Sequence, residues 1–310
     1  LWSIVDYAQP GILGSYRSFR ERFEKPLVQS EDEETRQRVE RDLMAHLGPA
    51  YLRRTKDEYL KDELPPKEES RVFVSYNQYQ RQLDRDIRMS ARSARGSEDR
   101  GWALRAVNKL LNLCAHPYLV DGRFRGASPA ELLRTSPKLA ETVKILRAVK
   151  DRGEKALIFT HSRDMQEILR TVLVFEFGAL PPVINGDSIQ RFGTVEYFNK
   201  TPGFAVMILS PRAAGVGLTI TGANHVIHYT RWWNPAVENQ ATDRAHRIGQ
   251  KKPVHVYVPI VRDDSTRTAD EILDSLLAKK RALAASIVIP SSQLQVTEQE
   301  FIEAMGLKSA

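Results

Sequence analysis

Gln240, Arg244 and Arg247 fall at i, i+4 and i+7 in WWNPAVENQATDRAHRIGQKKPVHVYVP, residues 232–259, so a helix there carries them on a single stripe. Two fixed guanidiniums suit a phosphoryl group. Each planar fork donates paired N–H groups to oxygens, and its charge meets the negative charge that spreads over those oxygens during transfer. The plainer alternative is a solvated polar face closed by an Asp243–Arg247 ion pair, which stabilises a helix by only tenths of a kcal/mol. A second chemical signal lies upstream, in SPRAAGVGLTITGANHV, residues 210–226. There Gly215, Gly217 and Gly222, interleaved with Ser210, Thr219 and Thr221, can bring backbone N–H groups and hydroxyls close to phosphates. Ile220 stands where a dinucleotide fingerprint needs its third glycine, which counts against a Rossmann cofactor loop. A purely structural turn is the competing reading of this stretch.

These residues need elements to hold them. Asn234 suits an N-cap, Pro235 the first helical position and Gly249 the stop, which predicts one helix over 235–248. From about residue 136, short apolar runs (KALIFTH, PPVIN, FAVMILS, HVIHY and VHVYVPI) alternate with amphipathic helical patterns. That alternation predicts an α/β fold, a parallel sheet with helices on both faces, whose ligands gather at the carboxyl ends of the strands. Residues 1 to about 150 read as helical, with Val39, Leu43, Leu47 and Leu52 near a 3.6 period. ELPPKEESRVFVSY interrupts them with a short strand or extended connector. MSARSARGSEDRG reads as a flexible tip and DGRFRGASPAELLRTSP as a linker. A last helix, about 267–286, presents Ile272, Leu273, Leu276, Leu277 and Leu283 on one side.

Composition sets outer bounds. A chain of 310 residues with 42% apolar and 27% charged residues is ordinary for a globular protein of one large or two medium domains. The 46 Lys and Arg against 39 Asp and Glu leave a formal charge of +7, which favours a polyanionic partner. One cysteine, Cys114, excludes an internal disulfide and fits a reducing compartment. With no apolar run of about 18 residues, the chain reads as cytoplasmic and not membrane-bound. It starts without Met inside a helical pattern, so it is expected to be part of a longer polypeptide.

LIFTHSRDMQEIL, GVGLTITGANHVIHYTRWWNPAVENQATDRAHRIGQ and the strand after them resemble motifs IV, V and VI of Snf2-type ATPases, a branch of the superfamily 2 helicases. LWSIVDYAQPGILGSYRSFRERFEKPL, YLRRTKDEYLKDELPPKE, LLNLCAHPYLV and SPKLAETVKILRAVKDRGEKALIF resemble that family's helical insertions and lobe entry, so the resemblance spans nearly the whole chain. It implies a helical protrusion region with a linker over 1–135, a second RecA-like lobe over 136–265 and brace-like helices over 266–310. By resemblance Arg247 matches the arginine finger, Arg244 its companion near the γ-phosphate, and Gln240 the glutamine of the lobe interface. Gly215 and Gly217 match the motif coupling nucleotide to DNA. Ser162, Ser210, Arg212, Thr219, Thr221 and Trp232 fall in loops implied to meet the DNA backbone, whatever its bases.

The chain departs from the family pattern where RAAG replaces Lys-Ala-Gly-Gly, with Arg212 keeping the charge, and where Thr219 replaces an asparagine. His246 reads as an exposed helix residue. His161, His225 and His228 lack metal-ligand spacing and read as structural, so no metal site is expected within the chain. No G-x-x-x-x-G-K-[ST] occurs, and no strand ends in an Asp-Glu pair. ATP and Mg²⁺ are therefore expected to be held mainly by an N-terminal RecA-like lobe of the same polypeptide, preceding Leu1. These residues alone should show little ATPase activity. The implied partners are double-stranded DNA, that N-terminal lobe and further protein subunits, and the implied compartment is the cytoplasm, or the nucleus in a eukaryote. Two alternatives stay open: a non-catalytic DNA- or protein-binding module that keeps a helicase fold, and an RNA helicase lobe.

Overall fold

A computed structural model describes residues 1–30, 32–48, 60, 63–94, 101–212, 217–284 and 294–307. Contacts divide the chain into two compact units: 1–61 with 234–236 and 277–296, and 62–233 with 237–276 and 297–310. In the smaller unit, α1 (Trp2–Ala8), α2 (Tyr16–Phe19), a π-turn over Arg20–Glu24, α3 (Lys25–Gln29) and α4 (Glu33–Leu47) follow in order. Asp32 caps α4 by accepting from the N–H groups of Glu34 and Thr35. The apolar period then buries Leu43 and Leu47 with Val5, Phe19, Phe23 and Leu27, and Val39 packs beside them. Leu52, the fourth residue of the expected period, lies outside the described residues.

The larger unit is built on six strands, all paired in parallel: β1 (Lys67–Ser75), β2 (Lys155–Phe159), β3 (Val183–Ile184), β4 (Ala205–Leu209), β5 (His225–His228) and β6 (Val254–Arg262). Their order across the sheet is β1-β6-β5-β2-β4-β3. With them come α5 (Gln78–Ser93), α6 (Trp102–Ala115), α7 (Pro129–Thr135), α8 (Pro137–Asp151), α9 (Arg163–Phe177), α10 (Arg191–Lys200), α11 (Pro235–Thr242), α12 (Ala269–Ala284) and α13 (Glu298–Ala304). Alternation along the strands feeds two cores, as the pleat requires. Ala156 and Ile158 of β2 face Leu146 of α8 and Leu169 of α9. Leu157 and Phe159 face Phe198 of α10, Ala241 of α11 and the loop residues Leu218 and Ile220. Helices thus cover both faces, as the sequence pattern predicts.

One open alternative is settled and one expectation is corrected. Of the two readings of the interruption after the Pro-Pro step, the strand holds: it is β1, nine residues paired with β6 from Lys67 opposite Val254 to Ser75 opposite Arg262. The sheet therefore takes in residues on the N-terminal side of the expected boundary at 136. DGRFRGASPAELLRTSP is not a linker: Ser128 caps α7, and Phe124 and Leu132 are buried in the first core. Two aromatic or aliphatic anchors in a polar stretch suffice to dock it. The expected flexible tip falls mostly on 95–100, outside the described residues, while α5 continues to Ser93. Among the described residues, no helix is long and apolar enough to cross a membrane.

Candidate functional site

The run that opened the sequence reading begins as expected, with Asn234 Oδ1 accepting from the N–H of Ala236 at 2.9 Å and Pro235 leading α11. It does not end as expected. The helix stops at Thr242 instead of 248, so Gln240 lies on it while Arg244 and Arg247 follow in a tightened turn. The carbonyls that residues 248 and 249 would use in a longer helix, those of Arg244 and Ala245, are taken by other groups. The Ile220 N–H donates to Arg244 O at 2.8 Å, and Gln250 Nε2 reaches Ala245 O at 3.2 Å, Thr221 O at 3.1 Å and Ala223 O at 2.7 Å. The backbone answers with three-residue bonds, Arg244 N to Ala241 O and Ala245 N to Thr242 O. Gly249, at φ +99°, then turns the chain away.

The single stripe is thus corrected to a helix residue followed by a turn that brings two arginines together. Arg244 is half-buried, donates to Leu218 O at a long 3.4 Å, and leaves its buried Nε without a partner. Burial lowers its affinity for a proton, the neighbouring charge of Arg247 lowers it further, and Asp243 opposes both. Arg247 and Gln240 are exposed, and among the described residues no ion pair joins Arg247 to Asp243. Two cations held near each other with a donor unspent are arranged to accept an anion.

The glycine loop packs against this turn. Gly215 lies outside the described residues, while Gly217 adopts φ +54°, a conformation that side chains resist. Asn199 on α10 fastens the loop by donating to Thr219 O at 3.0 Å and accepting from Gly222 N at 3.0 Å. A Cβ at Gly222 would stand 2.8–2.9 Å from Asn199, so close approach requires glycine there. Thr219 is exposed and Thr221 half-buried, with its carbonyl held by Gln250.

Ser162, Ser210 and Trp232 follow the carboxyl ends of β2, β4 and β5, the edge at which ligands of parallel sheets collect. The Ser162 hydroxyl accepts from Met165 N at 3.2 Å and so caps α9. Arg212 is exposed, with its guanidinium carbon 5.1 Å from the centre of the Trp232 ring. His161 meets the same ring edge-on and bonds Thr230 Oγ1 at 3.1 Å through Nδ1. Trp233 instead packs edge-on against Phe301 of α13.

The other histidines are structural: His228 bonds Thr242 Oγ1 and His225 bonds Glu154. His246 corrects the reading as an exposed residue. It is buried, 5% exposed, and its Nε2 reaches Pro65 O at 2.9 Å. No group of three or more potential metal ligands occurs among the described residues. Sequence reasoning passed over Arg231, Glu238 and Asn199. The signal available for the first two was an arginine and a glutamate seven apart, on either side of the Asn-Pro cap.

A six-stranded parallel sheet covered on both faces by helices is a RecA-like α/β fold. Residues 137–249 match the Helicase conserved C-terminal domain and residues 1–119 the SNF2-related domain. The chain is 39% identical to the Zorya protein ZorD of Escherichia coli over 97% of its length and 28% of that protein's. It is 34% identical to the ISWI chromatin-remodeling complex ATPase CHR17 of Arabidopsis thaliana, over 83% of the chain and 24% of that protein. Its structure resembles the Sulfolobus solfataricus SWI2/SNF2 ATPase core in complex with dsDNA, at a TM-score of 0.59 and 31% identity, covering 99% of this chain and 64% of that one. The chain belongs to the Snf2 family. It spans about a quarter of the length of these curated relatives.

Proposed function

We propose that these residues are the second motor lobe of an ATP-dependent double-stranded DNA translocase of Snf2 type. The observation that carries the reading is the Arg244–Arg247 turn, two neighbouring cations with no ion pair among the described residues, one with an orphaned buried Nε, fixed by Asn199 and Gln250 through the glycine loop. The orphaned donor fits a phosphate oxygen. In this reading the chain spans 1–135 as helical protrusions with β1 contributed to the sheet, 136–265 as the lobe and 266–310 as brace-like helices.

ATP is the substrate. It and Mg²⁺ are held mainly by the N-terminal RecA-like lobe, and the metal neutralises phosphate charge there. Arg247 and Arg244 donate to the γ-phosphoryl oxygens as charge builds, and Gln240 meets the opposing lobe. Gly215 and Gly217 allow the loop to follow the nucleotide state. Ser210, Arg212, Thr219 and Thr221 hold DNA phosphates without reading bases, supported by Ser162 and Trp232. Acting alone these residues hydrolyse little ATP, since stabilising a transition state requires that another surface hold the reactants. The whole protein works in the cytoplasm, or the nucleus of a eukaryote, with further subunits as partners.

The decisive assay measures ATP hydrolysis by the full-length protein with duplex DNA and with RNA. Stronger stimulation by duplex DNA is expected, together with loss of most of the stimulated rate in Arg247→Ala. Equal stimulation by RNA would point to an RNA helicase lobe, and an undiminished mutant rate to a non-catalytic scaffold.

A further inference from the structure

Arg231 is 3% exposed and Glu238 2%, deep burial for two opposite charges. The guanidinium binds the carboxylate in a fork, Nε to Oε1 at 2.7 Å and Nη2 to Oε2 at 2.8 Å. Oε1 also accepts the backbone N–H of Trp232 at 2.9 Å. The remaining arm of Arg231, Nη1, binds Oδ1 of Asp274 on α12 at 2.5 Å, and Arg71 of β1 reaches the same carboxylate at 3.0 Å. One side chain thereby ties the loop after β5 to the first turns of α11, to α12 and, through Asp274, to β1. Although burial disfavours the charge on Arg231, Glu238 and Asp274 hold it firmly protonated.

Such a network adds little to stability, since apolar side chains of similar volume usually fill the same space at no loss. What it supplies is direction. A bidentate fork fixes angle as well as distance, and Glu238 lies two residues before Gln240 and six before Arg244. We propose that Arg231 and Glu238 are positioning residues that set the pose of the α11 segment and its arginine turn, and that Asp274 makes this pose responsive to α12. The inference rests on the phosphoryl role proposed for Arg244 and Arg247. Displacing catalytic groups by about 1 Å can lower a rate about a hundredfold without touching substrate binding, so the effect belongs in kcat.

The test uses the full-length protein and three variants. Arg231→Lys keeps the charge but loses the fork. Asp274→Asn removes the charge from the α12 arm, and with it the Arg71 ion pair, while leaving the Arg231–Glu238 fork in place, at a side chain that is 18% exposed. Arg247→Ala is the control. Expected is a fall in DNA-stimulated kcat of about tenfold or more for Arg231→Lys and about threefold for Asp274→Asn. In both, the KM for ATP should stay close to wild type, while the thermal midpoint falls, further for Arg231→Lys, so kcat is compared per folded molecule well below both midpoints. Unchanged kcat in both variants overturns the proposal, and so does a kcat that falls only in step with the folded fraction. If Arg231→Lys does not fold, Asp274→Asn decides alone by the same criteria. Should Arg247→Ala keep the full rate, the phosphoryl reading fails. Should it lose the rate while the other two keep theirs, only the positioning role fails.

Discussion

Two parts of the larger unit treat charge in opposite ways. At the amino edge of the sheet Glu154, Lys155, Lys252, His255 and Glu68 all have partners. Glu154 accepts from His225 Nε2 at 2.6 Å and pairs with Lys252 at 3.0 Å, while Lys155 Nζ donates to the carbonyls of Phe198 and Asn199. His225 stacks on His255, which pairs in turn with Glu68 at 3.3 Å. In the turn after α11, Arg244 and Arg247 repel each other, neither makes an ion pair among the described residues, and the buried Nε of Arg244 has no hydrogen-bond partner. The satisfied charges serve the fold, whereas the proposed function gives the unsatisfied ones a ligand to bind. The same residue types therefore carry different meanings according to what their partners leave over.

The sharpest way to break this contrast is Arg247→Ala. Its exposed side chain makes no ion pair among the described residues, so denaturant unfolding should change by less than about 0.5 kcal/mol, while the stimulated ATPase rate of the full-length protein falls about a thousandfold. A comparable loss of stability would make Arg247 a structural residue. Arg244→Met should lower the rate by about a hundredfold and yet raise the melting temperature by a few degrees, because it removes an orphaned donor and a like-charge contact. A lower melting temperature would show that the turn depends on this guanidinium.

Gly222→Ala strikes the fastening of the loop. The added methyl would sit 2.8 Å from Asn199 Oδ1 and 2.9 Å from its Cα, so a stability loss of about 2 kcal/mol is expected from calorimetry. Wild-type stability would mean that the loop shifts freely.

At the amino edge the expected effects are smaller and depend on pH. Burial favours protonation of Glu154, but hydrogen bonds from His225, Asn224 and Lys252 outweigh it and hold the carboxyl down at about 2. The unfolded chain, with a value near 4.5, takes up that proton first, so the contribution is whole above pH 4.5 and disappears as pH falls towards 2. Replacing Glu154 by Gln should flatten that limb of the stability curve by about 1 kcal/mol, and an unaltered limb would refute the pairing. Lys252→Ala, at a side chain 55% exposed, should shift unfolding by no more than about 0.5 kcal/mol.

Much of the fold could be read from the sequence because its period is local. KALIF and AVMIL are apolar on both faces and form β2 and β4, and Asn234 with Pro235 starts α11 at the expected residue. Two stretches could not be settled from local pattern. β1 carries the polar text KEESR because it is an edge strand, so its apolar signal is too short to separate from a connector. The helix expected over 235–248 ends at Thr242, and Arg244 O, which residue 248 would have used, accepts from Ile220, a distant partner that leaves no trace in helical spacing.

By itself the sequence determined the parallel α/β architecture and the strands whose carboxyl ends carry Ser162, Ser210 and Trp232. Those follow from hydrophobic period and from capping residues, which act over a few neighbours. Tertiary structure alone decided which charges stay unpaired, that Arg244 and Arg247 share a turn and not a stripe, and that Arg231 meets Glu238 and Asp274 out of solvent. Partnership and burial arise only when distant segments close on one another, and they separate a charge that is satisfied within the fold from one that is not.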